Sequence, residues 1–313
     1  MRQPTLKQLQ AVARIADLGT VTAAAERLNL SPSAISLTLK QVEDNLGVRL
    51  FERTENGLVP TRAGKEVALA EARIAVILAE LSETTGGLRT GQTGHVAFGI
   101  VSTAKYFAPF ILRAFEALHP RIDIELKVGN RQEILDKLSD YGVDMALIGR
   151  PPQEIEVDMA EVGPQPHVVI AATDHPLARR RQVLAANLAG ERFIIREPGS
   201  GTRLLTERIL SELGAAPKLG MEMSSNETIK QAVMAGLGIS LLSYHTVSHE
   251  VEDGRLAILR VEGTPVIRKW FVVRNKRKHL LPSARSLWEF IVKDGGTFLP
   301  VLHPSGRAQR ARM

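Results

Sequence analysis

The apolar positions at the start of the chain recur at helical spacing in three short runs. In "LKQLQAVARIADLGT", Leu6, Leu9, Val12, Ala13 and Ala16 share one face, and Gly19 supplies the stop. "VTAAAERLNL" repeats the pattern with alanines that let a neighbouring helix approach closely, and Leu28 and Leu30 close its apolar side. "SPSAISLTLKQVEDNLG" opens on Ser31 as N-cap with Pro32 at the first helical position, and it ends at Gly47. Ala34, Ile35, Leu39, Val42 and Leu46 form its inner face, leaving Ser33, Ser36, Leu37, Thr38 and Lys40 on or beside the opposite one. The tight "NLS" connection between the second and third helices predicts a helix-turn-helix. "VRLFERTENGLVPT" then reads as strand, turn at Asn56–Gly57 and strand, a small wing. The helical period returns in "TRAGKEVALAEARIAVILAELSETTGGL", with Val67, Ala70, Ile74, Ile77, Leu78 and Leu81 in phase, before the glycines at 86, 87 and 91.

From residue 93 the pattern alternates strand and helix. "GHVAFGIVSTAKYFAPFILRAFEALHP", "IDIELKVGN", "RQEILDKLSDYG" and "VDMALIGRPP" make a βαβαβ half domain with sites at the C-terminal strand ends. "PHVVIAATDHPLA" opens a second lobe, and "PSARSLWEFIVKD" returns as a helix on the first. The predicted fold is α/β with an all-α-type N-terminal domain. Its parts are a winged helix-turn-helix (1–61), a long helix and linker (62–92) and a two-lobed domain (93–302). Lobe 1 takes about 93–163 and 267–302, lobe 2 about 164–266, and the composition of the 303–313 tail predicts disorder.

Composition adds exclusions. Cysteine is absent from the 313 residues, which removes disulfides, thiolate metal sites and a cysteine nucleophile. No apolar run approaches a membrane span or a secretory signal, so a cytoplasmic protein with no membrane partner is expected. The net charge of +6 permits a polyanionic partner. Candidate DNA contacts are Thr20, Thr22, Ser31, Pro32, Ser33, Ser36, Leu37, Thr38 and Lys40 on the helix-turn-helix. Arg53 and Arg62 flank it, in reach of phosphates, which fix position but carry no sequence code. A plain three-helix bundle is the competing reading; the order of cap, turn, wing and arginines favours the winged motif.

The polar turns of the second half are candidate ligand contacts. Ser102, Thr103, Ala104 and Lys105 precede a helix whose free N–H groups attract an anion. Asn130 and Arg131, Gly149 and Arg150, and Asn226 and Glu227 stand at other strand-to-helix turns. "REPGSGTR" offers Ser200, Gly201, Thr202 and Arg203, with the planar fork of arginine suited to phosphate or carboxylate. That stretch lacks the GxxxxGK[ST] spacing of a phosphate-transfer loop. No nucleophile elbow and no histidine pair at zinc spacing appear, so no catalytic residue, no metal and no resident cofactor are expected. His119, His167 and His175 read as structural turn residues.

The segment holding "AAAERL", "SPSAIS", "LGVRLFER" and "PTRAG" resembles the DNA-binding domain of the LysR-type transcriptional regulators. The resemblance implies that Thr61 caps a long helix pairing two subunits. It also implies an effector domain like the periplasmic solute-binding proteins (type 2), and a homodimer that assembles into a homotetramer, a dimer of dimers. One departure is "SLTLK", where leucines 37 and 39 stand among positions that are polar or basic in many members. "VSTAKYFAP", "VGNRQE", "GRPP", "REPGSGTR" and "SNETIKQAVMAGLGISLLSYHT" resemble the CbbR subgroup, regulators of carbon-dioxide-fixation (Calvin cycle, RuBisCO) operons. That implies an activator of promoter DNA working with RNA polymerase and answering a sugar phosphate, phosphoenolpyruvate or NADPH. The alternative is a regulator of another metabolic operon that senses a non-phosphorylated carboxylate.

Overall fold

A computed structural model describes residues 3–55, 57–87, 93–214 and 218–302. Asn56 of the wing turn, Gly91 of the linker and the 303–313 tail lie outside them. The chain forms two compact units divided near residue 90.

In the first unit α1 (Leu6–Leu18), α2 (Val21–Leu28) and α3 (Pro32–Leu46) begin and end where the caps dictate. Thr5 closes a capping box with Gln8, Thr20 accepts from the Ala23 N–H, and Ser31 accepts from the Ala34 N–H. Gly19, Asn29 and Gly47 take the left-handed conformation that stops each helix. Val12, Ile15, Ala24, Ala25, Ile35, Val42 and Leu50 meet in the core. The wing pairs β1 (Phe51–Thr54) with β2 (Gly57–Pro60). Gly57 is not a turn residue, as expected from the sequence, but the first strand residue, paired with Thr54. The reason is close approach: the Leu58 N–H bonds the Gly19 carbonyl at 2.7 Å, and a Cβ on Gly57 would lie 2.6 Å from that oxygen. The long helix α4 (Arg62–Gly87) starts at Thr61, whose hydroxyl accepts from the Gly64 N–H and donates to the Arg49 carbonyl.

The second unit is built on a seven-stranded sheet ordered β10-β6-β11-β5-β3-β4, with β9 also paired to β6. Lobe 1 contains β3 (Gly94–Val101), α5 (Ala108–Leu118), β4 (Ile122–Gly129), α6 (Arg131–Ser139) and β5 (Met145–Ile148), the strands parallel as expected. β6 (Val157–Ala172) differs from the expectation that a new strand opens near Pro166: it is one continuous strand that serves both lobes. It pairs with β11 (Val266–Asn275) along its first part and with β9 (Ser240–Ser243) and β10 (Leu256–Leu259) along its last. Lobe 2 adds α7 (Ala185–Leu188), the parallel pair β7 (Arg192–Arg196) and β8 (Lys218–Met223), α8 (Gly201–Glu212), α9 (Asn226–Met234) and α10 (Tyr244–Glu252). α11 (Pro282–Asp294) packs Ala284, Leu287 and Ile291 into the lobe 1 core beside Phe98, Phe115 and Trp270. Separate cores around Phe193 and Ile229 hold lobe 2.

Candidate functional site

In the first unit α3 turns Ile35 and Val42 into the core, so the opposite phase faces solvent. Ser33, Ser36, Leu37 and Lys40 are exposed, Leu37 to 58%. Ser31 and Pro32 stand exposed at the helix start, and the Ser31 and Ser33 hydroxyls lie 3.0 Å apart. Thr38 is half-buried and spends its proton on the Ala34 carbonyl. Thr20 and Thr22 are exposed at the start of α2, and Arg53 and Arg62 are exposed on and just after the wing. Apart from half-buried Thr38, the candidate contacts are exposed at the starts of α2 and α3 and along α3, with two cations nearby, a chemistry that suits a DNA groove.

In the second unit a cavity opens between the lobes. Lobe 1 lends Ser102 and Thr103 from the end of β3, Asn130 and Arg131 from the end of β4, and Gly149 and Arg150 from the end of β5. Lobe 2 lends Ser200, Gly201 and Thr202 at the start of α8. The crossing strands lend Gln165, His167 and Arg268. Ladder register explains the last group: Arg268 pairs with Gln165, and His167 lies two residues along on the same face.

Arg131, Arg150 and Arg268 thus converge on one cavity, and none makes an ion pair among the described residues. Burial lowers the Arg268 pKa to about 10, and repulsion from Arg150, Arg208 and Arg131 adds to the shift. Arg131 is shifted down mainly by burial, with Glu154 opposing and Arg150 adding, and its Nε is buried without a partner. Such groups want an anion. Ser200 caps α8 by accepting from the Thr202 N–H, so its own proton remains available to a ligand.

The lobes also touch around the cavity. The Gln132 N–H bonds the Gly199 carbonyl at 3.3 Å, and the Tyr106 hydroxyl donates to Glu227. Arg196 is buried, its Nε and Nη2 holding Glu197 at 2.7 and 2.8 Å, its Nη1 donating to Asn226 and its Nη2 reaching Ser102 at 3.2 Å.

Two family models match the chain: the bacterial regulatory helix-turn-helix protein, lysR family, over residues 6–65, and the LysR substrate binding domain over residues 89–295. The chain belongs to the LysR family of transcriptional regulators. The regulator is 46% identical over 308 residues to the HTH-type transcriptional regulator CbbR of Xanthobacter flavus, covering 98% of this chain and 92% of that one. It is 40% identical to the RuBisCO operon transcriptional regulator of Allochromatium vinosum, covering 93% and 96%. The regulatory domain of Synechocystis PCC6803 CcmR, solved in complex with 2-PG, is 34% identical with a TM-score of 0.62 over 64% of this chain and 96% of that one.

Within the regulator, the fold brings nine of the expected ligand residues to the cavity wall: Ser102, Thr103, Asn130, Arg131, Gly149, Arg150, Ser200, Gly201 and Thr202. Five stand elsewhere. Ala104 is buried in the lobe 1 core, Lys105 is 3.8 Å from Glu227, and Glu227 itself bonds Tyr106 and Lys230. Asn226 is buried as the acceptor of Arg196. Arg203 is the main correction: its Nε holds Glu207 at 2.8 Å, and its Nη1 holds Glu222 at 2.5 Å and the Arg196 carbonyl at 3.1 Å. Two residues past the α8 start, it turns toward β8. Sequence reasoning missed Gln165, His167 and Arg268 because they lie inside strands, and His167 is not the turn residue expected. A signal existed: Arg268 shares the inward phase of Val266 and Trp270, where an unpaired charge needs a reason.

Proposed function

We propose that this regulator activates carbon-dioxide-fixation genes in response to a phosphorylated metabolite held between the lobes of its second unit. The observation that carries the reading is the convergence of Arg131, Arg150 and Arg268, none in an ion pair among the described residues, on one cavity beside the start of α8. Guanidinium forks and a helix N-terminus are the strongest phosphate-binding elements a protein offers without metal. The names of the Xanthobacter and Allochromatium relatives support the carbon-fixation target, and the 2-PG bound to the Synechocystis relative supports a phosphorylated effector. The winged unit reads promoter half-sites through the exposed face of α3, while Arg53 and Arg62 hold phosphates. Two chains associate through α4, whose Ile77, Leu78 and Leu81 are exposed, and two such dimers form the tetramer that contacts RNA polymerase. Effector binding favours one arrangement of the lobes over another, and only that difference in affinity shifts the DNA-bound state.

Isothermal titration of the regulator with phosphate esters and non-phosphorylated carboxylates tests the ligand. Arg268→Ala should weaken phosphate-ester binding about tenfold or more, or ~1.4 kcal/mol, with binding to the upstream DNA retained. Tight binding of a non-phosphorylated acid, with no phosphate ester bound, moves the assignment to another metabolic operon. A footprint upstream of RuBisCO genes tests the target.

A further inference from the structure

We infer that the turn after β3 and the start of α9 form a clasp between lobe 1 and lobe 2, in which Tyr106 sets how often the cleft opens for a ligand to enter or leave. The inference concerns the opening of the lobes and does not depend on which ligand the cavity takes. The contacts join two short segments. From lobe 1, the single turn Ala104–Tyr106 presents the Tyr106 hydroxyl, which donates to Glu227 of α9. The Tyr106 ring lies under the Lys230 ammonium, 4.7 Å from the ring centre, and Lys105 adds a cation 3.8 Å from Glu227. Beside Glu227, Asn226 accepts from Arg196, which also reaches Ser102 at the end of β3 at 3.2 Å. Tyr106, Glu227 and Lys230 stand outside the cavity wall.

Lys230 gives the clasp its strength. It is buried at 3% exposure, and its ammonium holds Glu250 at 2.8 Å and Glu227 at 3.1 Å. An aromatic face attracts a cation most where water is excluded. Tyr106 supplies that face from the other lobe, so opening the cleft uncovers the ammonium as well as breaking the hydroxyl bond. The protonation states suit the bond. Burial first, then the bond to Glu227, raises the Tyr106 pKa, and the hydroxyl keeps its proton. Burial acts to raise the Glu227 pKa, but the bonds from Tyr106 and Lys230 outweigh it; the net shift is downward and the acceptor is charged. A hydroxyl donating to a carboxylate makes a stronger bond than one donating to a neutral acceptor.

Gln132 reports on opening. Its N–H lies in the first turn of α6, where the helix offers it no partner, and it bonds the Gly199 carbonyl of lobe 2 at 3.3 Å. Its protection from hydrogen exchange therefore depends on the lobes staying together. The test is amide exchange of the full-length regulator without added ligand, read by mass spectrometry with fragmentation that resolves the Gln132 amide. Tyr106→Phe removes the hydroxyl and keeps the ring, and should speed exchange there about threefold or more. Tyr106→Leu removes the ring face as well and should speed it about tenfold or more. Peptides from the lobe 1 core, in β3 and α11, should keep their wild-type rates. Should Tyr106→Leu not fold, Glu227→Gln takes its place with the increase expected of Tyr106→Phe. Wild-type exchange at Gln132 in the folded variants, or an acceleration that the core peptides share equally, overturns the inference.

Discussion

Arg268 stands opposite Gln165 in a strand pair, partly buried and beside two other arginines, whereas Arg203 ends in a cage of two carboxylates and a carbonyl. Both are arginines in polar surroundings, yet Arg203 spends its Nε and Nη1 on protein acceptors, whereas Arg268 makes no ion pair among the described residues. Arg203→Ala should therefore leave effector affinity nearly unchanged and cost about 1 kcal/mol or less of stability, since its partners are largely exposed; a denaturant midpoint beside a titration separates the two effects. Glu71 makes a different residue-scale case. It is buried at 5% exposure on α4, and burial raises its pKa, with Asp17 adding and Arg14 opposing. A carboxyl whose folded pKa lies above its unfolded value favours the fold when protonated, and this contribution is lost as pH rises through the folded pKa. Glu71→Gln should accordingly raise the melting temperature at pH 7, and the gain should vanish near pH 4. A thermal scan at the two pH values checks it.

At the scale of elements, caps and close approaches decide the winged unit. Thr5, Thr20 and Ser31 fix the three helix starts, and these are readable from sequence because a cap is a local bond. Gly64 is not readable in this way. A Cβ there would stand 2.1 Å from the Leu50 carbonyl, because the chain leaving α3 passes directly under the start of α4. Gly64→Ala is expected to destabilise the protein by about 1–3 kcal/mol and to loosen the wing along with the α4 start. Urea unfolding followed by circular dichroism measures the first effect, and loss of specific DNA retention the second. β6 shows the same limit from the other side. Its two prolines, Pro164 and Pro166, suggest an interruption, yet the strand runs on from Val157 to Ala172 because β11 pairs with it across that stretch.

For the whole molecule, the winged unit and the two-lobed unit carry separable chemistry, so DNA affinity and effector affinity should respond to different variants. DNA binding should fall by on the order of tenfold or more as salt rises through the physiological range. Arg53→Ala should lower the slope of that dependence by about one and weaken all sequences alike; a salt series of gel shifts reads both. The order of helices, the wing, the long helix, the parallel half domain and the turn residues of the cavity were all written in the sequence. Each depends on periodicity, a cap or a strand end within a few residues. Tertiary structure alone decided which arginines face the cavity. Glu207 and Glu222 lie across from Arg203, and an open cavity lies across from Arg268. It also decided that Arg268 joins Gln165 and His167 on the cavity wall, because a strand face gains its neighbours from a partner about a hundred residues away in the ladder. Local sequence sets the elements through short-range bonds, and long-range register sets which side chains are left with bonds to give.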